Sequence, residues 1–279
     1  MTTGAMLVPP SESDMKLNVC IAGATGWVGK LLCLAVSEAE DLSLIGAVSR
    51  SHKGRALKEV LADLNSDVIV SGSVEEALVT PTDVLVDYTK ADVVKKNVMK
   101  AIRRGVHVVI GTSGLTDQDF IEINQAALDN NVGVVAAGNF AITAVLLQRF
   151  ALEAAKYLSH WEIIDYASDA KRDAPSGTAR ELAFRLSEVR KPEVMHPINE
   201  TIGNRESRGT TLNGIQVHSI RLPSYVISVE AIFGANEERL TIRHDAGSGA
   251  RPYIQGTLLA IREVRNQVGL VRGLDRIMK

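Results

Sequence analysis

Leu17-Asn18-Val19-Cys20-Ile21-Ala22-Gly23-Ala24-Thr25-Gly26-Trp27-Val28-Gly29 is the stretch whose reading decides the fold. A short apolar run ends in a glycine, and two more glycines follow, each three residues after the last. Residues 30–39 then carry apolar side chains at helical intervals among good helix formers. Glycines at a strand-to-helix turn allow a tight bend, close approach of the backbone to a pyrophosphate and close helix packing. The helix start adds free N–H groups and the positive end of its dipole. A purely structural glycine turn is the competing reading. The strand–turn–helix context favours a dinucleotide site, and with it a Rossmann-type parallel sheet.

Working outward, strands are expected at 42–49, 68–70, 84–87, 107–110 and 133–136, with helices at 54–64, 91–104 and 117–130. Alternation of short apolar strands with amphipathic helices argues for a parallel sheet covered on both faces. After about residue 144 the pattern changes. A long helix at 142–158 leads to a strand at 161–166, then a loop and a helix through 190. Strands at 217–221, 225–233 and 239–244 follow without helices between them, which suggests an antiparallel or mixed sheet. A helix at 252–267 closes the chain.

The expected fold class is therefore α/β: an N-terminal Rossmann-type parallel sheet and a second α+β domain for substrate binding and oligomerisation. The expected boundaries are a flexible leader over 1–15, a dinucleotide-binding domain over 16–143 with 247–279 packing back onto it, and the second domain over 144–246.

With 279 residues, 46% hydrophobic and 23% charged, the chain has the composition of an ordinary globular protein. A net charge of −2 points to neither a nucleic-acid nor a membrane-surface partner. Two cysteines, Cys20 and Cys33, fall in one strand–helix unit, which argues against a disulfide framework and for a reducing cytoplasm. No apolar run has the length of a membrane span. The histidines are scattered, so no metal site is expected.

The end of the second strand bears on the choice of cofactor. NAD sites usually place an acid there to hold the ribose 2′-hydroxyl. This chain has Val48-Ser49-Arg50-Ser51-His52-Lys53, with no acid and two cations. Arg50 and Lys53 suit a 2′-phosphate, so NADPH is preferred over NADH; merely solvated loop charges are the alternative. Three further strand-end loops, Asp87-Tyr88-Thr89, Gly111-Thr112-Ser113-Gly114 and Gly138-Asn139-Phe140, lie where ligands of open parallel sheets bind.

These loops in order resemble those of the dihydrodipicolinate reductase family. The segment Lys171-Arg172-Asp173-Ala174-Pro175-Ser176-Gly177-Thr178-Ala179 is similar to that family's signature nearly residue for residue. The resemblance covers about residues 16–279. It implies a homotetramer whose second domain forms the central sheet, with hydride delivered from a nicotinamide into the cleft between domains. Carried onto this sequence, it implies cofactor binding by Gly23, Thr25, Gly26, Val28, Tyr88, Thr89, Gly111, Thr112, Gly114, Gly138, Asn139 and Phe140, beside Arg50 from the second strand end; Trp27 in the same turn is expected either to cover the cofactor or to pack on the helix. It also implies a catalytic Lys171 and substrate binding by Ser176, Gly177 and Thr178. In physical terms, Thr178-Ala179-Arg180-Glu181 has the form of a capping box, so a helix is expected to start there. Its N-terminus and hydroxyls would receive a small dicarboxylate, with Lys171 as counter-charge. Merely capping the helix is the alternative role for Ser176 and Thr178.

Two departures stand out. The family carries adjacent histidines where this chain has Ala167 and Ser168, and glycine and histidine in the stretch comparable to Val226-Ile227-Ser228-Val229-Glu230. General acid catalysis typically contributes about 10²–10⁴-fold, so this loss favours a changed substrate. The expected chemistry is hydride transfer from NADPH to an electrophilic C=N or activated C=C carbon of a small carboxylate-bearing molecule. The family's own reaction, reduction of 4-hydroxy-tetrahydrodipicolinate, is the first alternative; a non-enzymatic NADPH-binding sensor is the second. Tyr166, Asp169, Glu230, His218 and His244 are candidates for a replacement acid or substrate contact.

Overall fold

The computed structural model describes residues 16–279; the leader expected over 1–15 lies outside the described residues. The chain divides into two compact units, one running to Phe140 and resuming over Tyr253–Lys279, the other spanning Ala141–Pro252.

The first unit is built on β1 (Leu17–Ala22), α1 (Gly29–Glu38), β2 (Leu42–Val48), α2 (Leu57–Val60), β3 (Val70–Ser71), α3 (Val74–Ala77), β4 (Val84–Asp87), α4 (Ala91–Ile102), β5 (His107–Ile110), α5 (Asp117–Asp129) and β6 (Gly133–Ala136). All pairings in its seven-stranded sheet are parallel, in the order β12-β6-β5-β4-β1-β2-β3, where β12 is Gly269–Arg272. Every residue of β4 and β6 is buried, including consecutive ones, so both sheet faces are covered. This is the Rossmann-like arrangement expected from the opening turn.

Two local expectations fail here for one reason, competition for backbone groups. The helix expected over 54–64 shrinks to α2. Gly54 takes φ +84, and Gly54 and Leu57 donate their N–H groups to the Val70 and Val68 carbonyls. Ala56 forms an antiparallel bridge with Ile69. The start of the expected helix is thus committed to extended pairing. In turn the third strand shifts to Val70–Ser71.

The second unit contains α6 (Ile142–Tyr157), β7 (His160–Ala167), α7 (Gly177–Val189), β8 (Thr210–Leu212), β9 (Ile215–Arg221), β10 (Ile227–Ala235) and β11 (Glu238–Ala246). Its five-stranded sheet has the order β11-β10-β7-β9-β8 and is mixed: β7 and β9 run parallel, the other pairs antiparallel. Trp161, Ile163, Val217, Val229, Ala231 and Phe233 share a core with Leu182 and Leu186 of α7 and Ala151 of α6. The alternate positions Glu162, Ile164 and Tyr166 therefore lie on the opposite face. Finally α8 (Pro252–Glu263) returns the chain to the first unit, where β12 pairs with β6. Neither β8, β12 nor the short α3 is foreseen by periodicity.

Candidate active site

In the first unit the strand ends open onto a cleft of about 1090 Å³. Gly23, Thr25, Gly26, Trp27, Val28, Arg50, Tyr88, Thr89, Gly111, Thr112, Gly138, Asn139 and Phe140 all line it. Gly114 does not. It sits at φ +104 against the Ala91 side chain, so its glycine serves the backbone and a neighbouring helix.

The glycine turn is a fitted cradle. A side chain on Gly23 would collide with the Tyr88 carbonyl, and one on Gly29 with the Gly23 carbonyl. On Gly26 only the Gly23 oxygen comes within 4 Å of an added carbon, at 3.1 Å, so the backbone there lies open to a ligand. The N-cap of α1, Val28, has no side-chain capping bond, which leaves the helix start available to an anion. These features fit a pyrophosphate.

At the end of β2, Thr25 Oγ1 lies 2.8 Å from Ser49 Oγ, and Ser51 Oγ lies 2.9 Å from His52 Nδ1. Arg50 lines the cleft beside these hydroxyls. Lys53, expected to share the phosphate, is committed elsewhere. Its Nζ is 2.7 Å from Glu76 Oε1, and that bond holds the Glu76 carboxyl below its usual range.

Asp87 organises two of the other loops. It is fully buried, and its Oδ1 accepts from the Thr89 N–H (3.0 Å), the Thr89 hydroxyl (2.6 Å) and the Thr112 hydroxyl (2.7 Å). Its Oδ2 accepts from Asn97 Nδ2 at 2.9 Å. Beside it the Tyr88 hydroxyl donates to Thr257 Oγ1 (2.7 Å), which itself donates to the Tyr253 carbonyl (2.7 Å). Burial, foremost, raises the Tyr88 phenol above its ordinary range.

In the second unit, the loop after β7 carries Lys171, and α7 follows it. Lys171 Nζ lies 2.7 Å from Asp173 Oδ1, a bond that lowers the Asp173 carboxyl below its ordinary value. The cap of α7 is Ser176 rather than Thr178. Its side chain accepts from the Ala179 N–H at 3.3 Å, so the helix begins at Gly177, before the expected capping box. Ser176 is buried, Gly177 exposed and Thr178 half-buried. The Ser176 hydroxyl is thus a cap, while Gly177 and Thr178 present the helix N-terminus to solvent.

Two family models match in succession. One, described as dihydrodipicolinate reductase, N-terminus, covers residues 17–140; the other, dihydrodipicolinate reductase, C-terminus, covers 143–278. The chain belongs to the dihydrodipicolinate reductase family. Curated relatives named 4-hydroxy-tetrahydrodipicolinate reductase include one from Desulfitobacterium hafniense, 41% identical, covering 95% of this chain and 99% of the relative. Another, from Thermosynechococcus vestitus, is 38% identical and covers 94% and 97%. A dipicolinate-bound dihydrodipicolinate reductase from Paenisporosarcina sp. TG-14 superposes with a TM-score of 0.84 at 33% identity, covering 95% of this chain and all of that one. An amine dehydrogenase from Mycobacterium smegmatis, 14% identical with a TM-score of 0.67 and covering 96% and 97%, shares the fold alone. The chain is an NAD(P)H-dependent oxidoreductase of this dihydrodipicolinate reductase family.

Where the dihydrodipicolinate reductase signature would place histidines, Ala167 is fully buried and Ser168 half-buried. The Ser168 hydroxyl donates to Asp169 Oδ1 (3.2 Å) and accepts from the Ala170 N–H (3.3 Å). The proposed replacement acids are scattered. Tyr166 donates to Glu230 Oε2 at 3.1 Å, on the sheet face opposite Asp165, and burial with Glu230 raises its phenol. His218 Nε2 lies 2.7 Å from Glu162 Oε2 on that same outer face. His244 is on the inner face of β11, with its imidazole lowered by burial.

Sequence reasoning missed three anchors: the hub role of Asp87, and the pair Asp165–Arg221, joined at 2.8 Å. Each had a signal. Asp87 ends an otherwise apolar strand, and Asp165 interrupts one, and buried carboxylates rarely stand without partners.

Proposed function

We propose that this protein reduces 4-hydroxy-tetrahydrodipicolinate, using NADPH in preference to NADH. The observation that carries the reading is the loop that leads from Lys171, paired with Asp173, into the Ser176 cap of α7, in a chain similar along nearly its whole length to relatives named as reductases of that substrate. This reverses the order of the two readings in the sequence analysis, where a changed substrate came first.

Gly177 and Thr178 present backbone N–H groups and a hydroxyl to one carboxylate. Lys171 supplies the counter-charge and carries a proton at Nζ. It must leave Asp173 to do so, and a substrate carboxylate offers it an equivalent partner. On the first unit, Gly23, Thr25, Gly26, Trp27 and Val28 hold the pyrophosphate, and Arg50 with Ser49 and Ser51 holds the 2′-phosphate. Tyr88, Thr89, Gly111, Thr112, Gly138, Asn139 and Phe140 line the nicotinamide end. When bound, the reduced nicotinamide supplies hydride, and the protein's part is to orient it.

Among the described residues, α6 and α7 of the second unit pack on one face of its sheet. The other face carries Ile164, Ile220 and Ile232 beside ion-paired side chains, which supports the homotetramer implied by the family. A cytoplasmic enzyme fits the free, buried Cys20 and Cys33, and among the described residues no helix is long and apolar enough to cross a membrane.

The second reading, a changed substrate on the same scaffold, is favoured by one observation: Ala167 is sealed in the core and the Ser168 hydroxyl is already engaged. One assay separates the two. NADPH oxidation is measured with freshly generated 4-hydroxy-tetrahydrodipicolinate beside a histidine-bearing relative, with cofactor binding read by fluorescence in the same sample. Turnover of this substrate supports the first reading, even when slower than the relative by the roughly 10²–10⁴ that loss of a general acid costs. Cofactor binding without turnover supports the second.

A further inference from the structure

The loop between β7 and α7 is held from below by one buried ion pair. Asp165, with no exposure, accepts from three donors on Oδ2: Arg221 Nη2 at 2.8 Å, the Ser176 N–H at 2.8 Å and the Ser219 hydroxyl at 3.2 Å. The same Arg221 nitrogen donates to the Asp173 carbonyl at 2.8 Å. Arg221 Nη1 adds the Ile220 carbonyl at 2.9 Å and a longer bond to the Asp165 carbonyl at 3.4 Å.

The pair therefore ties four places together. Asp165 lies near the end of β7, and Arg221 ends β9, opposite Ala167 in the parallel register. Asp173 is the loop residue whose side chain holds Lys171. Ser176 is the residue whose hydroxyl caps α7. One carboxylate fixes the cap backbone, and one guanidinium fixes the loop two residues beyond Lys171. The separation between Lys171 and the helix N-terminus is set between those two bonds.

Neither atom group touches the site directly. Asp165 is closed to solvent, and the Arg221 side chain is 17% exposed. Hydrogen bonds to a buried charge are directional and stronger than neutral ones, so they suit a rigid support better than a contact surface.

We infer that Asp165 and Arg221 are positioning residues that hold the Lys171 loop and the α7 N-terminus in register for a small dicarboxylate. This rests on the substrate reading proposed above. The pair acts on binding geometry in the second unit alone, so its loss should raise KM for the carboxylate substrate and leave the cofactor cleft unchanged.

The test uses the full chain and the variants Arg221→Lys, Arg221→Ala and Asp165→Asn, with Lys171→Ala as the control for the substrate reading. Three quantities are measured: KM and kcat for 4-hydroxy-tetrahydrodipicolinate, NADPH affinity by fluorescence, and amide exchange of the loop at 169–176. Arg221→Ala is expected to raise KM at least tenfold, with kcat within about threefold and NADPH affinity unchanged. Arg221→Lys keeps the charge but has one nitrogen for the contacts of two, and is expected to recover part of the loss. Asp165→Asn should speed exchange at 169–176 and leave exchange in the later turns of α7 unchanged. If Arg221→Ala does not fold, Arg221→Lys and Asp165→Asn decide. An unchanged KM with unchanged loop exchange in folded variants would overturn the inference, and so would a parallel loss of NADPH affinity. If the wild type does not turn over this substrate, or Lys171→Ala leaves KM unchanged, the substrate reading fails. In that case loop exchange still decides whether the pair holds the loop.

Discussion

Lys53 Nζ lies 2.7 Å from Glu76 Oε1, and this ion pair leaves Arg50 to line the cleft at the end of β2. The two cations of one short segment thus have separate tasks. Arg50→Ala is expected to weaken NADPH binding about tenfold or more, the scale of one charged hydrogen bond of about 1.5–3 kcal/mol. NADH binding should change less than about twofold, as should either cofactor in Lys53→Ala. Fluorescence titration of both cofactors on both variants checks this; equal weakening of NADPH and NADH by Arg50→Ala would remove Arg50 from the 2′-phosphate.

Asp87 gathers donors from Thr89, Thr112 and Asn97 in a site closed to solvent. Asp87→Ala leaves those donors without their acceptor, at a cost of about 3 kcal/mol in stability by the usual penalty for buried unpaired groups. The cofactor loops should loosen with it. Urea denaturation and NADPH titration on Asp87→Ala and Asp87→Asn measure both effects, with the amide expected to lose less. Full stability in Asp87→Ala would contradict the hub.

Lys171 is expected to serve the carboxylate substrate and not the cofactor. Lys171→Ala should lower kcat/KM for the carboxylate substrate about tenfold or more, the loss of one charge-assisted contact, and leave NADPH affinity intact. Steady-state kinetics paired with titration separates the two. Undiminished turnover would place Lys171 outside the chemistry.

Restoring imidazoles should succeed at one position and fail at the other. Ala167 is fully buried, so Ala167→His forces a larger side chain into a packed site, at a cost of about 1–3 kcal/mol. Ser168 is only half-buried, and Ser168→His should fold normally and raise turnover of 4-hydroxy-tetrahydrodipicolinate about tenfold or more, within the range of general acid catalysis. Thermal melts and initial rates test the two halves separately. Normal folding with no gain in rate would mean that proton delivery does not limit this enzyme.

Stability should fall on mild acidification. Burial, first, and the Arg265 guanidinium hold the His107 imidazole below its ordinary value, and Nδ1 accepts the Gly133 N–H at 2.8 Å, which suits the neutral ring. Burial lowers His244 as well. A group depressed in the folded state binds its proton first in the unfolded chain, so stability rises with pH there. The loss should set in as pH falls through about 6.5, the unfolded value, toward the lower folded one. Urea midpoints between pH 7.5 and 5.5 should drop for the wild type and less steeply for His107→Gln. Identical slopes would assign the acid sensitivity to other groups.

The parallel sheet is legible because its strands are short apolar runs closed by glycine or aspartate, and because Gly23 and Gly29 stand where a side chain would meet backbone. Helix 54–64 is misread because periodicity does not reveal that the Val68 and Val70 carbonyls take its first N–H groups. The strand Gly269–Arg272 is too short to announce itself, and only its pairing with β6 defines it. At the candidate site, Lys171 and the helix start were visible as a motif. The partnership of Asp165 with Arg221 was not, since the two lie 56 positions apart and their bond is tertiary.

The register of Gly269 beside Gly133 has a consequence for synthesis. A ribosome releases the whole second unit before it releases the strand that completes the first sheet. Until then β6 is an open edge, the kind of surface that recruits stray strands. Order of emergence therefore favours early closure of the second unit, with the sheet of the first unit closed afterwards by β12.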